Sequence, residues 1–240
     1  MGAMLIARRE LSSYLLSTTG WLILGVVLLA QGLLFNALAM DGEKKSFDVL
    51  QLFFYFSSGT TIVASIFISM RVFAEEKQLG TLVLLETSPI SEAQIVFGKY
   101  LGAWLFLCLL LALSLYMPLL VLVNGKVTLG HLFAGYLGLV LLGSACIAIG
   151  VLASSLATNQ VLAAVLAGAT IIALLLAYRL AREVEGVFGD VVGYLDLFDK
   201  HYRTFSRGTI KLGSVVYYLS LTYAALLATA AVFGSRRWRG

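Results

Sequence analysis

The sequence predicts an all-α integral membrane protein with six transmembrane helices, and three observations carry that reading. Of 240 residues, 60% are apolar and only 12% are charged, against roughly 25% charged in a soluble globular domain. Six stretches are long enough to cross a hydrocarbon core of ~30 Å: Trp21–Ala39, Val49–Met70, Tyr100–Val123, His131–Ala157, Gln160–Tyr178 and Ser214–Gly234. The 17 Lys and Arg and the 13 Asp and Glu all lie outside them, whereas the helices of a water-soluble protein need a polar face. Two prolines amid so much apolar surface exclude a disordered or collagen-like chain. Residues 1–240 therefore read as a single transmembrane domain.

Taken in order, residues 1–18 place Met4, Ala7, Leu11, Tyr14 and Leu15 on one helical face and Arg8, Arg9, Ser12 and Ser13 on the other. That pattern predicts an elbow helix lying at the membrane interface. A signal peptide is the competing reading, because the first apolar run ends in Ala37-Leu38-Ala39, but the run exceeds the length of a signal h-region and reads as a retained anchor. Thr158 and Asn159 barely separate spans four and five, which makes them antiparallel neighbours. The connections 71–99 and 179–213 are long enough to hold structure of their own, and function is expected there.

Orientation follows from Lys and Arg near span ends. Arg8, Arg9, Arg71, Lys77, Lys99, Arg236, Arg237 and Arg239 share one side, while the two short loops opposite hold only Lys44, Lys45 and Lys126. Both termini are expected in the cytoplasm. Segment 179–213 carries further bases on the outer side, but acids interleave with them and longer loops obey the rule less well. The net charge of +4 suits anionic headgroups, and with no basic stripe nucleic acid is not an expected partner.

Segment 71–91 combines charge, apolar surface and helix breakers. Gly80 interrupts one helical pattern, Pro89 disfavours helix at Ser88, and Ser91 with Gln94 forms a capping-box pattern ahead of span three. Helix, turn and helix are expected, with Leu79, Leu82, Val83 and Leu85 meeting headgroups or a protein partner. Between spans five and six, Val184, Val187, Phe188, Val191, Val192, Leu195 and Phe198 recur with a period near 3.6, which predicts a helix over 182–199. Span two is rich in hydroxyls at Ser57, Ser58, Thr60, Thr61 and Ser65, beside Phe53, Phe54, Tyr55 and Phe56. Such hydroxyls either line a path or bond their own backbone. Ala164-x-x-x-Gly168 is a small-xxx-small pattern suited to close helix contact.

Other chemistry is poorly supported. Cys108 and Cys146 lie in apolar runs without CxxC spacing, and His131 and His201 sit at span or loop edges without a second ligand at metal spacing, so no metal site is expected. Gly143-Ser144-Ala145 lacks the second Gly of a nucleophile elbow.

Arg71-x-Phe73-x-Glu75-Glu76-x-x-x-Gly80-Thr81, then Leu84-Leu85-x-Thr87-Ser88-Pro89 and Gly98-Lys99, resemble the cytoplasmic loop of type-2 ABC exporter permeases. Arg8-Arg9-Glu10-Leu11, Ser154-Ser155-x-x-x-Asn159-Gln160, His201-Tyr202-x-x-Phe205-Ser206-x-Gly208 and Val216-Tyr217-Tyr218 are similar to the gliding-motility-type branch. The resemblance implies the permease subunit of an ATP-driven exporter in a bacterial inner membrane. Such a subunit works with a second permease copy, or a related permease, and two ABC ATPase subunits, and an extracytoplasmic auxiliary protein accompanies some members. It also implies that Arg71, Phe73, Glu75, Glu76, Gly80, Thr81, Leu85, Ser88 and Pro89 couple to the ATPase, with Glu75 and Glu76 pairing to bases on the partner or elbow helix. Phe54, Ser57, Ser58, Thr61, Ser65, Ala164 and Gly168 would line the translocation path, and Phe188, Val192, Leu195 and Phe198 would cap it externally. The chain contains no G-x-x-x-x-G-K-[ST], so ATP and magnesium are expected on the separate ATPase and no cofactor on this chain. The alternatives are a secondary carrier, disfavoured because the spans hold no ionisable side chain away from their ends, and an envelope scaffold that recruits an extracytoplasmic protein without moving solute.

Overall fold

The computed structural model describes residues 2–39, 45–81, 91–124, 128–181 and 193–237. Among them all regular structure is helical, and six helical stretches are long and apolar enough to span a membrane. Helix α1 (Gly2–Leu16) precedes α2 (Thr18–Leu34), which ends in a wide π-turn, Phe35–Ala39. Then come α3 (Ser46–Ser69), α4 (Arg71–Gln78), α5 (Glu92–Ser114), α6 (Tyr116–Asn124), α7 (Leu129–Leu156) and α8 (Gln160–Ala181). A second π-turn, Phe198–Tyr202, leads into α9 (Arg203–Ser206), and α10 (Leu212–Arg237) is the last described helix.

Helix α7 is the axis of the bundle. It packs against α3, α5, α8 and α10, and every residue from Leu141 to Val151 is buried. Its run Gly143-Ser144-Ala145-Cys146 presents little side-chain bulk, which lets four neighbours approach one backbone closely where lipid offers no hydrophobic drive for helix association. Asn159 tightens the turn into α8 by accepting a bond from the Leu162 amide on its side-chain oxygen, 2.8 Å. By contrast α8 and α10 leave much of their apolar surface outward, as Val161, Val165, Ile172, Leu219 and Tyr223 show.

Three local breaks have identifiable causes. The third span is two helices with a break at Leu115, because Pro118 lacks an amide hydrogen and its ring crowds the carbonyl four residues earlier, that of Ser114. Helix α4 stops at Gly80, whose φ of +70° places it in the left-handed region favoured by glycine. The Thr81 amide then bonds the Glu76 carbonyl at 3.0 Å and the Gly80 amide bonds Lys77 at 3.2 Å, a Schellman cap. Ser91 does start α5, yet its side chain makes no capping bond. The capping box expected there is not formed, because this exposed end leaves its amides within reach of solvent.

The single helix expected over 182–199 is also revised. Residues 182–192 lie outside the described part, and from 193 onward the chain turns at Leu195 rather than continuing as helix. The physical reason is Asp196, whose Oδ2 accepts bonds from the Phe198 and Lys200 amides at 3.0 and 2.9 Å and opens the π-turn. Tyrosines then fasten this segment to the bundle. The Tyr217 hydroxyl donates to the Leu195 carbonyl, Tyr218 to Leu197, and Tyr202 to Phe54 on α3. Both histidines serve the same purpose: His131 Nε2 donates to the Ser206 carbonyl at 2.8 Å, and the His201 ring stacks on Tyr217 with centroids 4.0 Å apart.

His201 Nε2 donates to the Tyr194 carbonyl, so in the neutral ring Nδ1 accepts from the Ser214 hydroxyl. Burial lowers its pKa, and Lys200 adds to that. The unfolded state then binds more protons than the folded one below the ordinary value of about 6.5. His201 therefore supports stability above that pH and its contribution is lost as pH falls through it. The Asp196 carboxyl is shifted up by burial, which acts with the opposite sign from about pH 4 upward. The detergent-solubilised protein should lose melting temperature between pH 7.5 and 5.5, and His201→Gln should flatten that limb.

Candidate functional site

The residues with most concentrated chemistry meet at one end of the bundle, where α1, α4, the start of α5, the α7–α8 turn and the end of α10 converge. Val72, Phe73 and Ala74 of α4 are buried, and Phe73 packs on Phe233 of α10 with ring centroids 5.0 Å apart. Helix α4 begins at a break directly after α3, so its first amides need outside acceptors. Ser154 of α7 supplies one: its Oγ accepts from the Phe73 and Ala74 amides, each at 3.0 Å, and donates to the Met70 carbonyl at 2.9 Å. From the other end of α4, Lys77 reaches back to the last carbonyls of α7, bonding Ser155 and, at 2.7 Å, Ala157. An ammonium there also complements the helix dipole.

Two charge clusters tie α1 to this unit. Arg71 pairs with Glu75 through Nε at 2.7 Å, reaches Ser17 Oγ at 3.3 Å, and lies 5.3 Å over the Tyr14 ring. The Tyr14 hydroxyl in turn donates to the Ile68 carbonyl at 2.8 Å, which clamps the end of α1 to the end of α3. Lys99 of α5 is buried, and its Nζ bonds Glu76 at 2.8 Å, Val72 carbonyl at 2.9 Å and Glu10 of α1 at 3.2 Å. All three ammonium donors are thereby used, and the Phe73 ring lies 5.4 Å away. The remaining Glu76 oxygen, Oε2, has no partner among the described residues.

Sequence reasoning did not anticipate Lys99 as the hub, nor the contact that brings α1 within its reach. Helix α1 lies against α5 at Gly98 and Gly102, where an added Cβ would stand 2.7 Å from the Ala3 carbonyl and 2.6 Å from Glu10 Cβ. The signal was present as Gly98-x-x-x-Gly102, the spacing that lets two helix backbones approach. The pattern singled out instead, Ala164-x-x-x-Gly168, packs differently: a Cβ on Gly168 would meet nothing within 4 Å among the described residues.

Of the residues expected to couple to an ATPase, Arg71, Phe73, Glu75 and Glu76 are brought together here, with Glu75 and Glu76 paired inside the chain. Gly80 and Thr81 sit at an exposed tip beside Leu79, which is 69% exposed. Leu85, Ser88 and Pro89 lie outside the described residues. Phe54, Ser57, Thr61 and Ser65 are buried within the bundle. Ser57 Oγ accepts from Gln31 Nε2 at 2.6 Å, and Ser65 bonds the Thr61 carbonyl at 2.7 Å. Ala164 is half-buried. Ser58 alone of this group lines a cavity of about 620 Å³ between α2, α3 and α8, walled by Val26, Ile62, Val63, Leu175 and Leu176 and bounded by Arg179 and Asp199. Phe198 also lines it, Leu195 is exposed, and Phe188 and Val192 lie outside the described residues.

Compared with known families, residues 41–181 match the model of the ABC-2 family transporter protein. No curated protein matches the chain.

Two substitutions test this junction. Lys99→Met strands two carboxylates in a buried site and should destabilise the folded protein by about 3–5 kcal/mol. Adding Glu76→Gln should recover part of that, read as melting temperature in detergent. Gly98→Val forces α1 away and should cost about 1–3 kcal/mol, whereas Gly168→Ala should not lower the isolated chain's melting temperature, because the added Cβ has room and Ala is the better helix former.

Proposed function

The chain belongs to the ABC-2 family of transporter proteins, multi-pass membrane subunits that are not themselves catalytic and that generally work with ATPase subunits, and on that premise we propose that it is the permease of an ABC exporter driven through the tip of α4. In this reading two copies, or one copy and a related permease, form the path, and two ATPase subunits hold ATP and magnesium. Both termini, α1 and the 71–99 connection lie in the cytoplasm of a bacterial cell with the chain in its inner membrane. Its motif order resembles that of the gliding-motility-type branch, and in this reading an extracytoplasmic auxiliary protein joins the complex.

The observation that carries the proposal is the Lys99 cluster. A push on residues 79–81 reaches Glu76 within one helical turn, and Lys99 links Glu76 to Glu10 on α1 and to the base of the third span. Ser154 and Lys77 join the same short helix to α7. One exposed tip is thus wired to three long helices by charge-assisted bonds, which are shorter and stronger than neutral ones. Glu75 and Glu76 act as transmitters held inside the permease, and the exposed apolar side chain of Leu79 makes the contact. The cavity between α2, α3 and α8 is one wall of the path, with Tyr55, Ser58, Gly59 and Thr60 facing it.

Leu79→Asp changes an exposed side chain and should leave the melting temperature intact. It should weaken co-purification with the ABC ATPase about tenfold, as loss of an apolar interface anchor does, and reduce nucleotide-dependent transport in vesicles equally. Unchanged association and transport would overturn the tip as the coupling element. Intact association with no nucleotide-dependent movement of any solute would instead favour the envelope-scaffold function.

A further inference from the structure

The cavity between α2, α3 and α8, read above as one wall of the path, carries a chemical signature that bears on what it holds. Its walls are apolar, and the hydroxyls in it are turned to their own backbone: Ser58 Oγ donates to the Tyr55 carbonyl at 2.6 Å and Thr60 Oγ1 to the Ser57 carbonyl at 3.0 Å. Its lining residues extend along α2 from Val26 to Leu34 and along α3 from Tyr55 to Val63, each stretch about 12 Å at 1.5 Å per residue. A volume of about 620 Å³ lies within the usual range for small-molecule sites. At the end of the cavity reached by the close of α8, two ionisable groups of opposite sign share the rim, Arg179 and Asp199.

Among the described residues neither charge is consumed by the fold. Arg179 is exposed and makes no bond to another described residue. Among the described residues the Asp199 carboxylate pairs with Arg203 at 3.9 Å, a long pair whose guanidinium side is mostly in solvent, and such pairs contribute little. Arginine at a span end is ordinary snorkelling geometry. What sets this one apart is a carboxylate on the same rim and an apolar cleft leading inward from both.

From that juxtaposition we infer that the cavity binds a zwitterionic phospholipid of the phosphoethanolamine type, its phosphate on Arg179, its ammonium on Asp199 and an acyl chain between Ile62, Val63 and Leu176. A guanidinium matches phosphate with two parallel donors. A carboxylate accepts from a primary ammonium and repels a second anion. A purely anionic headgroup would satisfy Arg179 while facing Asp199 with like charge. The inference rests on the cavity being reachable from the bilayer, and it names the class of amphipath that the proposed path accommodates.

Binding can be read without the ATPase. The purified, delipidated full chain in detergent would be offered an equimolar mixture of dioleoyl phosphatidylethanolamine and dioleoyl phosphatidylglycerol and examined by native mass spectrometry. The ethanolamine lipid should be retained over the glycerol lipid by about tenfold, the value of one charge-assisted hydrogen bond. Asp199→Asn should abolish that preference, and Arg179→Ala should lower retention of both. Gly59 lines the cavity and an added Cβ there meets nothing within 4 Å, so Gly59→Leu fills the space without disturbing the fold and should lower retention of the ethanolamine lipid as well. Equal melting temperatures would establish that the variants are folded. Equal retention of both lipids by the unaltered chain, or full retention by Gly59→Leu, would overturn the assignment. Loss of the binding preference would leave nucleotide-driven transport standing, and failure of transport would leave the binding result standing.

Discussion

A lysine buried where three helices meet must find acceptors for all three of its hydrogens, and Lys99 does so with a carboxylate from α1, a carboxylate from α4 and the backbone of α4. Removing an ammonium from water costs several kcal/mol, repaid only when geometry and hydrogen bonding are complete. That requirement dictates the arrangement around it. Helix α1 must lie close enough to α5 for Glu10 to reach, which Gly98 and Gly102 permit, and α4 must end its turn with Glu76 inward, which leaves Leu79 and Gly80 outward. The exposed tip is the other side of a buried ion pair.

The remainder of the bundle shows a division of labour suited to lipid. One helix, α7, supplies small side chains so that α3, α5, α8 and α10 can close around it, and its final turn offers the hydroxyl and carbonyls that anchor α4. At the opposite end, tyrosines and histidines pin the 193–211 segment by bonding backbone carbonyls across the fold. Each uses an aromatic body for packing and a polar tip for one hydrogen bond, the combination that buried Tyr and His provide. Both ends are therefore tied to the same central helix while α2 and α8 remain free along their outer faces. The cavity lies between those two and α3.

In the proposed function the permease needs stiffness at the point of input and room to move along the path. The charged junction would supply the former, and the open flank of α2 and α8 the latter. On that reading Glu75 and Glu76 are internal transmitters rather than docking groups. Their carboxylates are spent on Arg71 and Lys99, both of which belong to this chain.

Sequence alone determined the six spans, the short α7–α8 turn and the helix stop at Gly80. Each of these is written in local chemistry: the absence of charge over a membrane-length run, the length of a connection, or the conformational range of glycine. Tertiary structure decided everything that depends on which faces meet. The hydroxyls of span two could serve a path or a backbone, and only the packing shows Ser57 held by Gln31 while Ser58 lines the cavity. Two glycine-type patterns looked alike in sequence, yet only Gly98 and Gly102 have a helix against them within the chain. Lys99 looked like one more topological charge, and its role as hub emerged because Glu10 and Glu76, distant along the chain, converge on it. Periodicity specifies how a helix divides its own surface, whereas the partner for each face is set by the summed packing of all six spans.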